Sequence, residues 1–360
     1  MISDIRGSVI MGMRRAILPA TLVAAALCLT TSASAARQDS PPYQPAWRAV
    51  YQTPDSDAGI GLFSVTAPAA DDAWAVGTIG RKHAFGYIVH WNGHRWRPLA
   101  LPASGFQPWF ADSSGPDDVW LFGPDSEGDD TEFFWSAAGW RSVPQPPLTP
   151  DDQYPTSGLV VNAADVWLPA TPALHWNGQH WEPVTLPRGF ALNSFADVGG
   201  TIWAAGFPGN GRGGVVVYRL VHGRWRLLRM PHPPGFTVSV VTDGPHSVFV
   251  VVTNSFTGSP AVLYWNGRRW KRLPAPSAAP FYFQPVGGYG ADGLWLNTNL
   301  LWNGRQWLSI SQGDGQPVIT DYGSIAPIPG TRSTWLVTQA CTGPNQGCRG
   351  VIWLAGPLPH

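Results

Sequence analysis

Two short patterns alternate along the chain, and together they leave few folds open. The first is a polar turn running into an apolar stretch centred on an aromatic residue. It appears seven times, at Asp72-Ala73-Trp74-Ala75-Val76, Asp118-Val119-Trp120-Leu121-Phe122, Asp165-Val166-Trp167-Leu168, Thr201-Ile202-Trp203-Ala204, Ser247-Val248-Phe249-Val250, Gly293-Leu294-Trp295-Leu296 and Ser333-Thr334-Trp335-Leu336. The second is Trp-Asn-Gly-x-x-Trp, intact at Trp91 to Trp96, Trp176 to Trp181, Trp265 to Trp270 and Trp302 to Trp307, and degraded at Trp135 to Trp140 and Tyr218 to Trp225. A fixed alternation of this kind marks a repeat architecture.

The chemistry of each pattern predicts its local structure. Asn-Gly between two strand-like runs is a hairpin signal, because both central positions of a type I′ turn need positive φ. With Asn92-Gly93 as such a turn, Trp91 faces His94, and the indoles of Trp91 and Trp96 sit diagonally on one sheet face. The residues flanking the aromatic of the first pattern are also apolar, so that strand is expected to be buried on both faces. A two-sheet sandwich leaves one face of each strand wet. Radial blades cover both, and expose only short edges.

The unit then reads as strand a (62–66), strand b (73–77), strand c (85–91) and strand d (95–99). Seven units over the 325 residues after position 35 give about 46 residues each, within the ~40–50 of blade repeats. The seventh unit ends without its Trp-Asn-Gly turn and fourth strand, while Pro45-Ala46-Trp47-Arg48-Ala49-Val50 has no unit of its own and matches Arg95-Trp96-Arg97-Pro98-Leu99. The expected fold is all-β: a seven-bladed β-propeller of four-stranded antiparallel blades, closed by the N-terminal strand completing the last blade. Forty-one glycines and 36 prolines beside 20 tryptophans exclude long helices and agree with short strands and tight turns.

Arg14 and Arg15, the apolar run from Ala16 to Leu29, and the small residues Ala33-Ser34-Ala35 have the order of a secretory signal peptide over 1–35. Leu27 before Cys28 departs from a lipoprotein cleavage site. After residue 36 no apolar stretch approaches the ~20 residues of a spanning helix, so the expectation is a secreted, extracellular monomer over 36–360. Cys341 and Cys348 are then the remaining cysteines, and in an oxidising compartment a disulfide between them is expected as a loop staple. The net charge of −2 after position 35, read as scattered, gives no electrostatic reason to expect nucleic acid or acidic lipid as partner.

Over residues 45–356 the chain resembles the actinobacterial secreted propellers built of Trp-(Asn/Asp)-Gly-x-x-Trp and Asp-x-Trp-Ala-Val-Gly repeats, which are similar in shape to kelch and galactose-oxidase propellers. Asp72 to Gly77 and Trp91 to Trp96 carry the resemblance; Leu220-Val221-His222-Gly223 and Phe249 depart from it. The resemblance implies an architecture and little about activity.

Candidate sites follow from the architecture. With strand a lining the central channel, b-to-c loops and d-to-a connections open on one face, where loops on a rigid scaffold place binding residues. Aromatics in those connections are Phe106, Trp109, Tyr154, Phe190, Phe236, Phe281, Tyr282 and Tyr322; ring faces around a concave mouth suit sugars or an extended peptide, and the plainer alternative is that they cap the inner strands. Asp125, Glu127, Asp129, Asp130 and Glu132 offer oxygens of the kind Ca²⁺ takes, without the spacing of an EF-hand, so a solvated acidic tip is the simpler expectation and no cofactor is assigned.

A glycoside hydrolase or lyase needs facing carboxylates, and Asp151 or Asp152 with Asp321 lie nearest the mouth; Asp112, Asp197 and Asp243 read as turn residues on the far face. The histidines are spread over several blades. No phosphate loop, nucleophile elbow or His-Glu-x-x-His motif is present. The leading expectation is therefore a non-enzymatic binding or scaffold protein for carbohydrate or cell-envelope polymer; a propeller hydrolase and an extracellular protein-interaction module are the alternatives.

Overall fold

The structure is a computed structural model, and describes residues 45–54, 59–80, 85–148, 157–209, 213–235, 237–242, 246–253, 260–276, 287–288, 293–296, 298–310, 323–343 and 346–358. All its strands belong to one compact unit, Gln44–His360. They form seven four-stranded antiparallel sheets and, among the described residues, no helix; none is long and apolar enough to cross a membrane. Blade 1 runs Ile60–Ala69, Asp72–Ile79, Phe85–Trp91 and Trp96–Leu99, from the channel outward, as the repeat predicted. The innermost strands of blades 2 to 6 are Phe110–Gly115, Leu159–Asn162, Phe190–Asp197, Thr237–Thr242 and Gly287–Gly288, and each neighbours the next around a ring.

Blade 7 is completed from the other end of the chain. Trp47–Gln52 pairs antiparallel with Gln346–Ala355, in the register Trp47 to Ala355 and Gln52 to Val351, outside Thr334–Gly343 and Ile325–Pro327. The expected closure by the N-terminal strand is what the pairing shows.

The second strand of each blade is dry on both faces because its aromatic residue is clasped by the next blade. Trp74 and its neighbours Ala73, Ala75 and Val76 are at most 1% exposed. The Trp74 ring lies 5.3 Å from Trp135 and 5.5 Å from Trp140 of blade 2. Trp120 sits in the same way against Trp176 and Trp181, and Trp335 of blade 7 against Trp91 and Trp96 of blade 1. Tilted and edge-on contacts suit the ring quadrupole, at about 0.5–1.5 kcal/mol per pair beyond area burial. The tryptophan repeat is thus the seam between blades.

One local expectation is corrected. Trp91 is registered directly with Trp96, their centroids 6.0 Å apart, so the indoles face one another and are not diagonal. The hairpin is a four-residue loop in which the Asn92 Oδ1 accepts the N–H groups of His94 and Arg95, and Gly93 alone takes a positive φ, +82°. Asn177, Asn266 and Asn303 repeat the arrangement. Asparagine serves here through its side chain, as an Asx turn, and not through its tolerance of left-handed backbone. The type I′ pattern occurs instead in the degraded copy, where Val221 is registered with Arg224 and both His222 (φ 48°) and Gly223 (φ 71°) are left-handed.

Candidate functional site

The innermost strands are stitched to one another around the channel by side chains. The Ser64 hydroxyl bonds the Ala111 backbone in both directions, Thr66 meets Ser113 at 2.6 Å, the Ser324 hydroxyl accepts the Val65 N–H, and the Thr242 hydroxyl donates to the Asp197 carbonyl. Asp112 accepts the Val160 N–H of the next blade at 2.8 Å. Burial pushes its carboxyl up to about 6 against the opposing pull of backbone donors. Asp112, read from sequence as a turn residue, is a blade-to-blade linker within its strand.

Above this ring the inner strands of three blades carry a β-bulge at one level. In blade 1 Leu62 is registered with Gly77 and Ser64 with Val76, leaving Phe63 as the extra residue. In blade 4 Leu192 faces Gly206 and Ser194 faces Ala205, leaving Asn193. In blade 2 Phe110 is registered with Phe122, and the Trp109 N–H donates to that same Phe122 carbonyl at 2.8 Å, so Trp109 is the extra residue. Bulges turn a side chain away from the alternation of the strand. Here they leave Phe63 36% and Trp109 40% exposed.

A glycine on the second strand permits each bulge. A Cβ at Gly77 would overlap the Gly61 carbonyl, one at Gly123 the Gln107 carbonyl, and one at Gly206 the Ala191 carbonyl. In blade 5 the equivalent residue is Val252, and the inner strand Thr237–Thr242 pairs without a shift. The glycine closing Trp-Ala-Val-Gly, Trp-Leu-Phe-Gly and Trp-Ala-Ala-Gly is the sequence signal that would have found Phe63, which sequence reasoning missed.

Of the predicted aromatics, Trp109 is therefore exposed at the loop-bearing end. Phe190 is half-buried with its ring edge-on to Tyr218 at 5.0 Å. Phe106 is corrected: it is fully buried against Phe133 at 4.8 Å and offers no ring face, so the capping alternative holds at that position. Tyr154, Phe236, Phe281, Tyr282 and Tyr322 lie outside the described residues, as do Asp151, Asp152, Asp243 and Asp321. Phe85, 61% exposed at the start of the third strand of blade 1, adds another aromatic at the loop-bearing end.

The acidic segment does not converge as one loop. Asp125 turns back on its own backbone, its Oδ1 accepting from Glu127 and Asp129 at 2.8 and 3.1 Å. Asp130 and Glu132 already belong to the strand Asp130–Ser136, and Glu132 is fully buried. Among the described residues no three acidic, histidine or cysteine side chains come together as metal ligands. Asp125–Asp129 lies beside the connection leading to Trp109: Gln107 N–H donates to the Pro124 carbonyl, and Ser126 packs on Gly105.

The paired histidines are on the opposite end. His90 bonds Asp72 at 2.7 Å and lies on the Trp74 ring, and His175 repeats this with Asp165 and Trp167. They tie the third strand to the start of the second and belong to the seam. A cavity of about 490 Å³ among Leu159, Phe195, Val240 and Thr242 is lined by none of the predicted site residues. Cys341 and Cys348 stand opposite one another in register on the long hairpin of blade 7.

No family model matches the chain, and no curated protein matches it. Solved structures it is similar to include AofleA from Arthrobotrys oligospora, at 14% identity and a TM-score of 0.43 over 83% of this chain and 84% of that one. The fucose-specific lectin from Aleuria aurantia is 14% identical with a TM-score of 0.40, over 61% and 78%. The GH74 xyloglucanase from Xanthomonas campestris is 14% identical with a TM-score of 0.43; 84% of this chain aligns with 55% of that one, about half its length. Superpositions this loose say nothing about what the present chain binds.

Proposed function

We propose that the protein is a secreted carbohydrate-binding propeller whose ligand stacks on Trp109 and Phe63 at the loop-bearing end of blades 1 and 2. The observation that carries the reading is the bulge: two adjacent blades depart from regular pairing at the same level, and in both the extra residue is an exposed aromatic. Ring faces accept the apolar faces of sugars, and the exposed carboxylates of Glu127 and Asp129, in the neighbouring turn, supply acceptors for sugar hydroxyls. Export rests on the signal-like order of residues 1–35 and on the cysteine pair, and the N-terminal residue of protein recovered from culture medium tests it.

The test of binding is an array of glycans and cell-wall polymers probed with the exported protein, then with Trp109→Ala and Phe63→Ala. Each variant should melt close to the parent and lose at least about tenfold in affinity, the scale of a truncated aromatic anchor. Undiminished binding in both variants removes the reading.

A further inference from the structure

Blade by blade, the charges of this near-neutral chain are segregated rather than scattered. Residues 108–186, which form blades 2 and 3, contain twelve carboxylates and the single cation Arg141. Residues 187–276, which form blades 4 and 5, contain nine arginines and Lys271 against only Asp197 and Asp243. Even charge was the expectation from sequence; its near-zero sum concealed two opposed halves.

Seven of these cations lie on the outer two strands of blades 4 and 5 or in the hairpin turn between them: Arg219, Arg224, Arg226, Arg268, Arg269, Lys271 and Arg272. Arg224 and Arg226 lie on the outermost strand of blade 4, Arg224–Leu227, and Arg226 is registered with Arg219 of Val216–Val221. Registered partners share a sheet face, so all three point the same way. Trp203, registered with Arg219, packs 6.1 Å from Trp270 of blade 5, which identifies that face as the one turned to blade 5. Arg272, two residues beyond Trp270 on Trp270–Arg272, stands on the face turned back to blade 4. All four arginines are exposed, as are Arg268, Arg269 and Lys271. Arg219, Arg224, Arg226 and Arg272 line the furrow where the two blades meet at the perimeter.

Comparison with blade 1 shows what is missing there. His90 and Arg97 occupy the positions of Arg219 and Arg226, and Asp72 at the head of the second strand pairs with His90 at 2.7 Å. In blade 4 Thr201 stands where Asp72 does. No carboxylate among the described residues is within salt-bridge distance of these arginines. Arg219 and Arg226 directly oppose each other, which destabilises a strand pair. Guarding an edge strand against aggregation takes a charge of either sign, as Arg141 and Glu182 supply in blades 2 and 3; it does not call for removing the acids from two blades.

We propose that the outer furrow of blades 4 and 5 docks a linear polyanion carrying phosphate or sulfate esters. The four cations facing the furrow are all arginine, whose planar fork meets tetrahedral oxyanions with two parallel hydrogen bonds and sheds water more readily than an ammonium. A row of them along an edge strand matches repeating charge rather than one small ion. The surface is separate from Trp109 and Phe63, and the two readings stand or fall independently.

Binding of the full exported protein to heparin and to inorganic polyphosphate, with uncharged dextran as control, tests the proposal and separates sulfate from phosphate as source. Engagement of about four ester groups predicts that affinity falls by roughly two orders of magnitude between about 50 and about 200 mM salt. The double variant Arg224→Ser, Arg226→Ser should lose at least about tenfold, while Arg95→Ser, Arg97→Ser on blade 1, an equal loss of charge, should bind as the parent. Equal loss in both double variants, binding to neither polyanion, or a salt-sensitive dimer joining basic to acidic blades that polyanion does not disperse would each overturn it.

Discussion

The indole of Trp47, in the first strand of the propeller, lies 4.7 Å from that of Trp295 in blade 6, and its N–H donates to the Thr298 carbonyl. Trp47 and Thr298 stand 251 positions apart in the chain. The N-terminal strand therefore supplies the outer edge of blade 7 and the clasp on blade 6 together. Trp47→Ala, at a site 1% exposed, should lower stability by about 3–5 kcal/mol. Urea melting is the check; a midpoint like that of the parent would show that closure does not depend on this residue.

Gly123→Ala should act on the site without touching an exposed residue. The added methyl meets the Gln107 carbonyl, so either the bulge flattens and Trp109 turns, or the two strands separate. A destabilisation of about 1–3 kcal/mol together with loss of glycan binding is expected. Gly139→Ala, where a Cβ has open space but φ is +92°, should cost stability alone.

Stability should also carry the titration of Asp112. Its folded-state value, about 6, lies above the ordinary 3.8, chiefly because burial disfavours the carboxylate. The folded protein thus holds a proton that the unfolded chain releases. The stabilisation is complete below about pH 4, declines as pH rises through about 6, and changes little beyond. Asp112→Asn should flatten that decline while its amide oxygen still accepts the Val160 N–H. Denaturant midpoints collected across this range will show whether the slope disappears.

Relief of like charge should be measurable in blade 4. Arg226→Gln removes the cation opposite Arg219 and should raise stability by about 0.2–1 kcal/mol, with a smaller gain at high salt. A loss of stability would mean that the arginine stems contribute more by packing than their charges take away.

Cys341 and Cys348 are registered across an antiparallel hairpin, and Cys348 is 3% exposed. Registered antiparallel residues have Cα atoms about 4.5–5.5 Å apart, inside the range a disulfide spans. Peptide mapping without reductant should recover the two cysteines as one linked peptide. Replacing both with serine should cost about 2–3 kcal/mol, as expected for so short a loop.

What could be read from sequence was whatever repeats. Each Asp-x-Trp marks a strand dry on both sides, each Trp-Asn-Gly a hairpin, and the unmatched Trp47 segment a closing strand, so blade number and topology followed. The turn type did not, because the Asn92 side chain satisfies two backbone donors that a two-residue turn would not contain. The site was only partly legible. Phe106 and Trp109 look alike in a loop, yet one is buried on Phe133 and the other sits on a bulge set by Gly123, a residue on a different strand. Segregated charge escaped notice because it was summed along the chain and not around the ring.

Completing the last blade with the first strand also orders events in time. Trp47 is synthesised long before its partner Ala355, so through nearly the whole of chain elongation the opening strand is an unpaired edge, and blade 7 lacks its outer wall. Such an edge is a template for wrong pairing, and a contact so distant in sequence forms slowly. An unfinished or prematurely cut chain can stack six blades but has nothing with which to shut the ring, and a proteolytic nick that frees either end should let the circle spring open at this one joint.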